Sequence, residues 1–530
     1  MSLDLAPVGR GKRGSDLTAQ DMPVYPATLW ALLEQRVGAT PERVLLEDES
    51  GRVLTARQWR DTALRLAAAL HARGIGPGTP VSWQLPTIAE SAILMMALAR
   101  LGAVSNPIIH ILREHEVGFI VGQVGAPLLI TPHLWRNYDY PALARGVAAK
   151  HGCDTLVIDR GTLPTAKSDA LPPVPDGAGN PVRHIYYSSG TTAAPKGVRH
   201  TDASLMAAAS AIILMSTDED VVPVAFPFTH VGGIAQTIAT LYTGSPMVFF
   251  EHFDAKRSPH VMAAHGATKL GSTLPFFLAY AEAQRRHGNQ PLFPALRSLA
   301  SGGAPTPPEL FYEMKKLFGV PILANWGLTE FPIATASFAD EPDEDLALTE
   351  GRPLPAVQVR VVGSDGTHLP RGQEGELLVK GPQMFQGYVD ERLNADAFDA
   401  DDFFRTGDLG IVGPHGHVRI TGRNKDIIIR NAENLSALEI EGVIYTHPKV
   451  AEVAVIGLPD ARTGERAVAV VVLAPGAKTL SVADLAEHLG HHGLAKQKFP
   501  EQLEIADALP RNSMGKVLKH ELRRQYAAAR

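Results

Sequence analysis

The chain has 530 residues, 45% of them hydrophobic and 20% charged, with a formal net charge of -6. At roughly 150 residues per domain this length predicts three to four packed units, and the mild acidity gives no broad electrostatic footprint for nucleic acid. A single cysteine, Cys153, excludes an intramolecular disulfide and a cysteine-cluster zinc site, and fits a reducing compartment.

In chain order, the first sixteen residues carry Arg10, Lys12 and Arg13 among glycines and small residues, with no apolar stretch behind them. A secretory signal is therefore not expected. Residues 81–85 alternate as a strand does. Thr87-Ile88-Ala89-Glu90 then has the Thr-x-x-Glu form of a capping box and predicts a helix through the apolar run 89–104. Arg100 and Gly102 interrupt that run, which falls short of the ~20 residues a membrane span requires. A soluble, cytoplasmic protein is the simplest expectation. Strand-then-helix order recurs around 126–130, 155–158 and 247–250, which predicts α/β layers with substantial parallel pairing. From Pro353 the texture changes: 357–362 and 375–379 read as strands separated by turns such as Ser364-Asp365-Gly366, a β-rich unit. After Gly422 the pattern is compact α+β, with strands at 452–456 and 467–473 and a helix capped by Ser481.

The most informative stretch is Tyr187-Ser188-Ser189-Gly190-Thr191-Thr192-Ala193-Ala194-Pro195-Lys196-Gly197. Glycine lets backbone N–H groups approach an anion, the hydroxyls add short donors, and the lysine supplies a mobile positive charge. That combination suits the phosphates of ATP. It is not the common P-loop, because Pro195 precedes Lys196, Gly197 follows it, and no hydroxyl sits where Mg2+ would be bound. Further on come Asn325-Trp326-Gly327-Leu328-Thr329-Glu330, Arg405-Thr406-Gly407-Asp408, Gly422-Arg423-Asn424-Lys425-Asp426 and Pro510-Arg511-Asn512-Ser513-Met514-Gly515-Lys516. Read singly, these are a helix start, a turn, a tight hairpin and a solvated lysine. Taken together and in this order, the five segments resemble the motifs of the adenylate-forming superfamily, which includes acyl-CoA synthetases, aryl-CoA ligases, luciferases and the adenylation domains of peptide synthetases.

The resemblance implies an α/β fold with a large multi-layer N-terminal domain, residues 1–423, made of two α/β subdomains plus a β-rich subdomain. A small mobile α+β lid, residues 424–530, would follow a hinge at its start. It also implies roles. Thr191, Thr192 and Lys196, with Ser188, Ser189 and Gly190 beside them, hold the β- and γ-phosphates of ATP. Thr329 contacts the α-phosphate and Glu330 helps bind Mg2+. Gly302, Gly303 and Ala304 lie along the adenine, and Asn325, Trp326 and Gly327 complete the nucleotide site. Asp408 accepts the ribose hydroxyls, and Arg423 reaches ribose or phosphate. Lys516, on a loop whose composition keeps it open and mobile, bridges substrate carboxylate and α-phosphate; acetylation there would remove the charge. His230, within Phe226-Pro227-Phe228-Thr229-His230-Val231-Gly232-Gly233, lines the acyl pocket. The twenty histidines show no His-Glu-x-x-His spacing, so metal ligation by histidine is not expected. The catalytic set is thus Lys516, Thr329, Glu330 and His230.

The reaction so implied is formation of an acyl-adenylate followed by transfer to coenzyme A. Departures from the family pattern qualify it. Asn431-Ala432 replaces a usual Gly-Gly or Ser-Gly beside the coenzyme A path, Ala437 a frequent proline, and Ala193 a frequent glycine. Where such a glycine needs φ > 0, alanine costs on the order of 1 kcal/mol. A carrier-protein acceptor, or a degenerate member that binds without turnover, are the alternatives these alanines leave. Acetate-specific relatives carry tryptophan at the position of Gly327. Here glycine, with apolar Val231, Ile234, Phe331 and Ile333 near it in the motifs, predicts an acid larger than acetate, of the medium-chain, branched or cyclic kind. Residues 106–109 and 113–117 resemble bacterial fatty-acid and cyclohexanecarboxylate CoA ligases. A homodimer is compatible with this reading.

Overall fold

The structure, a computed structural model, describes residues 14–188, 195–303, 306–430, 433–460, 462–512 and 515–527. Its centre is a six-stranded sheet in the order Lys196–Thr201, Val182–Ser188, Val104–Pro107, Pro80–Trp83, Leu128–Thr131, Asp154–Val157, parallel except for the first pair. That antiparallel pair sets Lys196 directly opposite Ser188. A second sheet runs Val222–Val224, Met247–Phe249, Val44–Asp48, Val53–Thr55. The largest core packs the helices Leu29–Ala39, Ala56–His71, Ala89–Leu101 and Val231–Thr243 against these sheets, with Trp30, Trp59 and Trp83 wholly buried.

Ala89–Leu101 does form where the apolar run predicts it, but the capping box at its start does not. The N-cap is Ile88, without a side-chain bond. Thr87 Oγ1 instead donates to the Phe226 carbonyl at 2.9 Å and accepts from the Phe228 amide at 3.1 Å. Glu90 takes Arg52 and the Gly161 amide, each at 2.8 Å. The helix is buried along nearly its whole length. Long-range partners therefore reach both residues and outcompete the local cap.

Three parallel strands, Lys269–Ser272, Ser298–Gly302 and Ile322–Asn325, form a further small sheet whose carboxyl ends pair Gly302 with Asn325. An antiparallel meander follows: Gln358–Val362, Glu374–Lys380, Phe404–Val412, Val418–Arg423. This is the β-rich unit expected from the sequence. A single 3-10 turn, Asn424–Asp426, leads into the last unit. There Ile427–Arg430, Val450–Asp460, Gly464–Leu473 and Gln502–Ile505 share a sheet covered by Ala437–Tyr445, Val482–His491 and Lys519–Ala527. Ser481 caps Val482–His491 as expected, accepting from Asp484 N at 3.1 Å while Asp484 accepts from Ser481 N at 3.0 Å.

Candidate active site

A cleft of about 1,610 Å³ runs between the large body and the C-terminal unit, and Gly303, Asn325, Trp326, Asp408, Arg423 and Lys516 line it. The strand Phe404–Val412 carries the Thr-Gly-Asp triplet, which is not a turn: it lies inside the strand, with register shifts on both sides. Asp408 is thereby placed opposite Arg423. Its carboxylate is buried, takes Arg423 Nε at 2.8 Å on one oxygen and accepts the Trp326 indole N–H at 2.8 Å on the other. Two sequence motifs 82 residues apart therefore meet in one ion-paired group.

Glu350 also lines this wall and was not singled out by the sequence reading. One of its oxygens accepts from the Ile420 amide at 2.8 Å. Burial pushes its carboxyl up to about 8, with the neighbouring Asp408 charge adding to the rise. It is a neutral acid near pH 7.

At the phosphate-loop end, the residues of the loop itself, Ser189, Gly190, Thr191, Thr192 and Ala193, lie outside the described residues, as do Ala304, Asn431 and Ala432. Their flanks are well placed. Ser188 Oγ donates to Glu330 Oε1 at 3.3 Å, Tyr388 Oη donates to the same oxygen at 2.9 Å, and Lys196 Nζ lies 5.2 Å from the centroid of the Tyr388 ring. Thr329 and Glu330 do not start a helix; they sit in a bend. The bend is fixed by His200, whose Nε2 donates to the Thr329 carbonyl at 2.8 Å while Nδ1 accepts from Ser204 Oγ at 3.0 Å. Burial pushes His200 down to about 4, so it holds Thr329 as a neutral ring. Neither Tyr388 nor His200 was legible as a site residue, because each acts on a partner 58 or 129 residues away.

Lys516 is half-buried on the C-terminal side of the cleft. Burial pushes it down to about 7; Arg423 and Lys425 push the same way, and Asp408 and Asp426 oppose them. Ser513 and Met514 of its segment lie outside the described residues, and the described residues beside them make several contacts. Arg511 pairs with Glu452 at 2.6 Å and donates to the Gly515 carbonyl, Arg511 and Val517 form a β-bridge, and Lys516 N donates to Asn512 Oδ1 at 2.9 Å. Gly515 stands so near the body that a Cβ there would lie 2.6 Å from Thr273 Oγ1.

His230 is the N-cap of Val231–Thr243, its Nδ1 accepting from Gly232 N at 3.2 Å, and burial pushes it down to about 4. It faces a small pocket of about 20 Å³ walled by Ile108, Ile109, Leu112, Tyr186 and Val231. The expected neighbours fare differently. Val231 lines this pocket, but Ile234 and Phe331 are spent in the cores. Gly327 lines the large cleft rather than this pocket, and a Cβ there would overlap the backbone nitrogen of Ile333 and lie 3.1 Å from the Phe331 carbonyl. Glycine is needed at 327 so that two backbone segments can touch.

Comparison with known proteins agrees with this geometry. The family model described as AMP-binding enzyme matches residues 33–389, and that described as AMP-binding enzyme C-terminal domain matches residues 439–516. The medium-chain fatty-acid–CoA ligase of Escherichia coli (strain K12) is 29% identical, with 94% of this chain and 90% of that protein covered. The salicyl-AMP ligase / salicyl-S-ArCP synthetase of Mycobacterium tuberculosis (strain ATCC 25618 / H37Rv) is 32% identical over 95% of this chain and 91% of its own. Among solved structures, ATP-bound MatB from Rhodopseudomonas palustris superposes with a TM-score of 0.85 at 29% identity, covering 95% of this chain and 99% of that one. The chain belongs to the AMP-binding enzyme family and is a ligase of its AMP-forming acyl-CoA synthetase type.

Proposed function

We propose that this ligase condenses a carboxylic acid larger than acetate with ATP to give acyl-AMP and pyrophosphate, and then transfers the acyl group to coenzyme A with release of AMP. The observation that carries the reading is the convergence of Asp408, Arg423, Trp326 and Lys516 on one cleft, from four motifs far apart in the chain. A carboxylate oxygen must attack the α-phosphorus, and the two anions repel until neutralised. The Lys516 ammonium, beside Arg423 and Lys425, supplies that neutralisation. His200 fixes the Thr329 backbone so that this residue faces the α-phosphate. Asp408, held by Trp326 and Arg423, receives the ribose.

The residues present also fit a magnesium ion. Among the described residues no three His, Cys, Asp or Glu side chains group to hold a metal. One carboxylate, Glu330, is anchored by Tyr388, and a single carboxylate together with substrate phosphates suits a hard cation. When bound, Mg2+ supplies charge neutralisation for the leaving pyrophosphate. The junction Asn424–Asp426 is the hinge about which residues 424–530 would turn between the two half-reactions.

AMP release measured across acids from acetate to long-chain and cyclic members, with and without coenzyme A, tests the proposal. Coenzyme-A-dependent turnover peaking beyond acetate is expected; no AMP or pyrophosphate exchange with any acid would refute it. The similarity to a salicyl-AMP ligase favours one second reading, transfer to a carrier protein. Acyl-AMP formation with transfer to a phosphopantetheinylated carrier, and none to coenzyme A, would establish it.

A further inference from the structure

Glu350 takes no part in the chemistry assigned to Asp408, Arg423 and Lys516, yet it lies on the wall of the same cleft and is partly exposed. Its backbone is fixed on both sides. The Glu350 amide donates to the Val418 carbonyl at 2.8 Å, and Thr335 Oγ1 donates to the Glu350 carbonyl while accepting the Trp326 amide at 3.1 Å. Of the two carboxyl oxygens, Oε2 accepts from the Ile420 amide at 2.8 Å. Oε1 is left over: among the described residues it has no hydrogen-bond partner, and unlike Glu90 Oε2 it is not sealed from the surface.

The charges around this carboxyl do not pair with it. Burial does most to keep it protonated and the Asp408 charge adds to this, while the Ile420 amide and the exposed Arg419 oppose. Arg352, two residues on, is turned to Glu341 at 3.0 Å and His417 at 3.1 Å; Arg423 holds Asp408 at 2.8 Å, and Arg405 faces Glu376 at 3.4 Å. An oxygen that accepts an N–H is the carbonyl one of a protonated carboxyl, so the proton sits on Oε1. That leaves an O–H donor on the cleft wall with no acceptor in the described protein, an arrangement that costs stability unless a ligand supplies the acceptor.

A ribose hydroxyl donates one hydrogen bond and accepts others. Asp408, an ionised carboxylate in the ligase reading, can take the hydroxyl protons but has nothing to give the hydroxyl oxygens. We propose that Glu350 is a further ATP-binding residue, whose Oε1–H donates to the oxygen of a ribose hydroxyl while the proton of that hydroxyl goes to Asp408. The proposal rests on the ligase reading above. Loss of the Glu350 proton would remove the donor and set a second negative charge beside Asp408.

The test is the equilibrium affinity of the full chain for ATP, 2′-deoxyATP and 3′-deoxyATP between pH 7 and 9.5, with no acid present. With the carboxyl at about 8, wild type should lose about tenfold in ATP affinity by pH 9 relative to Glu350→Gln, whose amide remains a donor at every pH. Lys516 and the triphosphate are common to both proteins, so the ratio of the two profiles isolates residue 350. At pH 7, Glu350→Leu should bind ATP about fivefold or more weakly than wild type, yet bind one of the two deoxynucleotides as wild type does. Parallel profiles for wild type and Glu350→Gln would overturn the proposal even if Glu350→Leu does not fold. An equal loss on ATP and both deoxynucleotides would overturn the contact to ribose. Absence of binding by wild type to any adenine nucleotide at any pH is a different failure, which removes the ligase reading and this proposal with it.

Discussion

A methyl group at residue 327 would land on the backbone of Ile333, which is itself held at φ 51°, a conformation that β-branched residues avoid. Neither neighbour is a side chain that can swing away. The sequence motif suggested that glycine here opens the acyl pocket; the structure gives it a packing role in a strained loop between two cores. Gly327→Ala should therefore cost about 1–3 kcal/mol as overpacking. It should lower the melting temperature and depress AMP formation with all acids alike. A chain-length profile shifted toward acetate at unchanged melting temperature would restore the pocket reading. The residues that do wall the pocket, Ile108, Leu112 and Tyr186 among them, come from neighbouring strands and their loops that lie far apart in the sequence, and no local pattern marks them as one surface.

Two helices carry almost the same start signal, and only one uses it. Ser481 and Asp484 form a reciprocal cap on Val482–His491, a helix with only Leu485 and Leu489 buried. Thr87 precedes and Glu90 opens a helix with nearly all of its residues buried, and both side chains are recruited elsewhere. The elements themselves were legible from their periodicity, as were the β-rich meander and the final α+β unit. What was not legible was the use of Thr87 to tie down Phe226 and Phe228, just ahead of His230. The difference can be measured. Ser481→Ala should cost about 1 kcal/mol of stability with acid KM unchanged. Thr87→Val leaves the Phe226 carbonyl and the Phe228 amide unpaired, at about 1–3 kcal/mol each. It should also raise KM for the acid, because the strap beneath His230 loosens. Equal KM values in the two variants would show that Thr87 serves the helix alone.

Lys516 belongs to no single element in its electrostatics. Asp408 and Arg423 come from the meander, Lys425 and Asp426 from the turn that follows it, and the lysine from the C-terminal unit. The motif named this residue from sequence, but its proton affinity is set only when these pieces meet. With the free lysine lowered to about 7, the ammonium needed for adenylation is lost as pH rises through 7. Bound phosphate and carboxylate favour the charged form, so the complex should hold its proton to higher pH. For the adenylation half-reaction, kcat/KM should therefore fall above about pH 7, whereas kcat should fall only at higher pH. Lys516→Arg keeps a permanent charge, and its activity should lack that fall even where its rate is lower. The substrates titrate identically with both proteins, so the difference between the two profiles isolates residue 516. The thioester half-reaction, started from supplied acyl-AMP, should show no such difference. Parallel profiles for wild type and Lys516→Arg would mean that the lysine stays charged throughout, and that the surrounding cations do not tune the reaction.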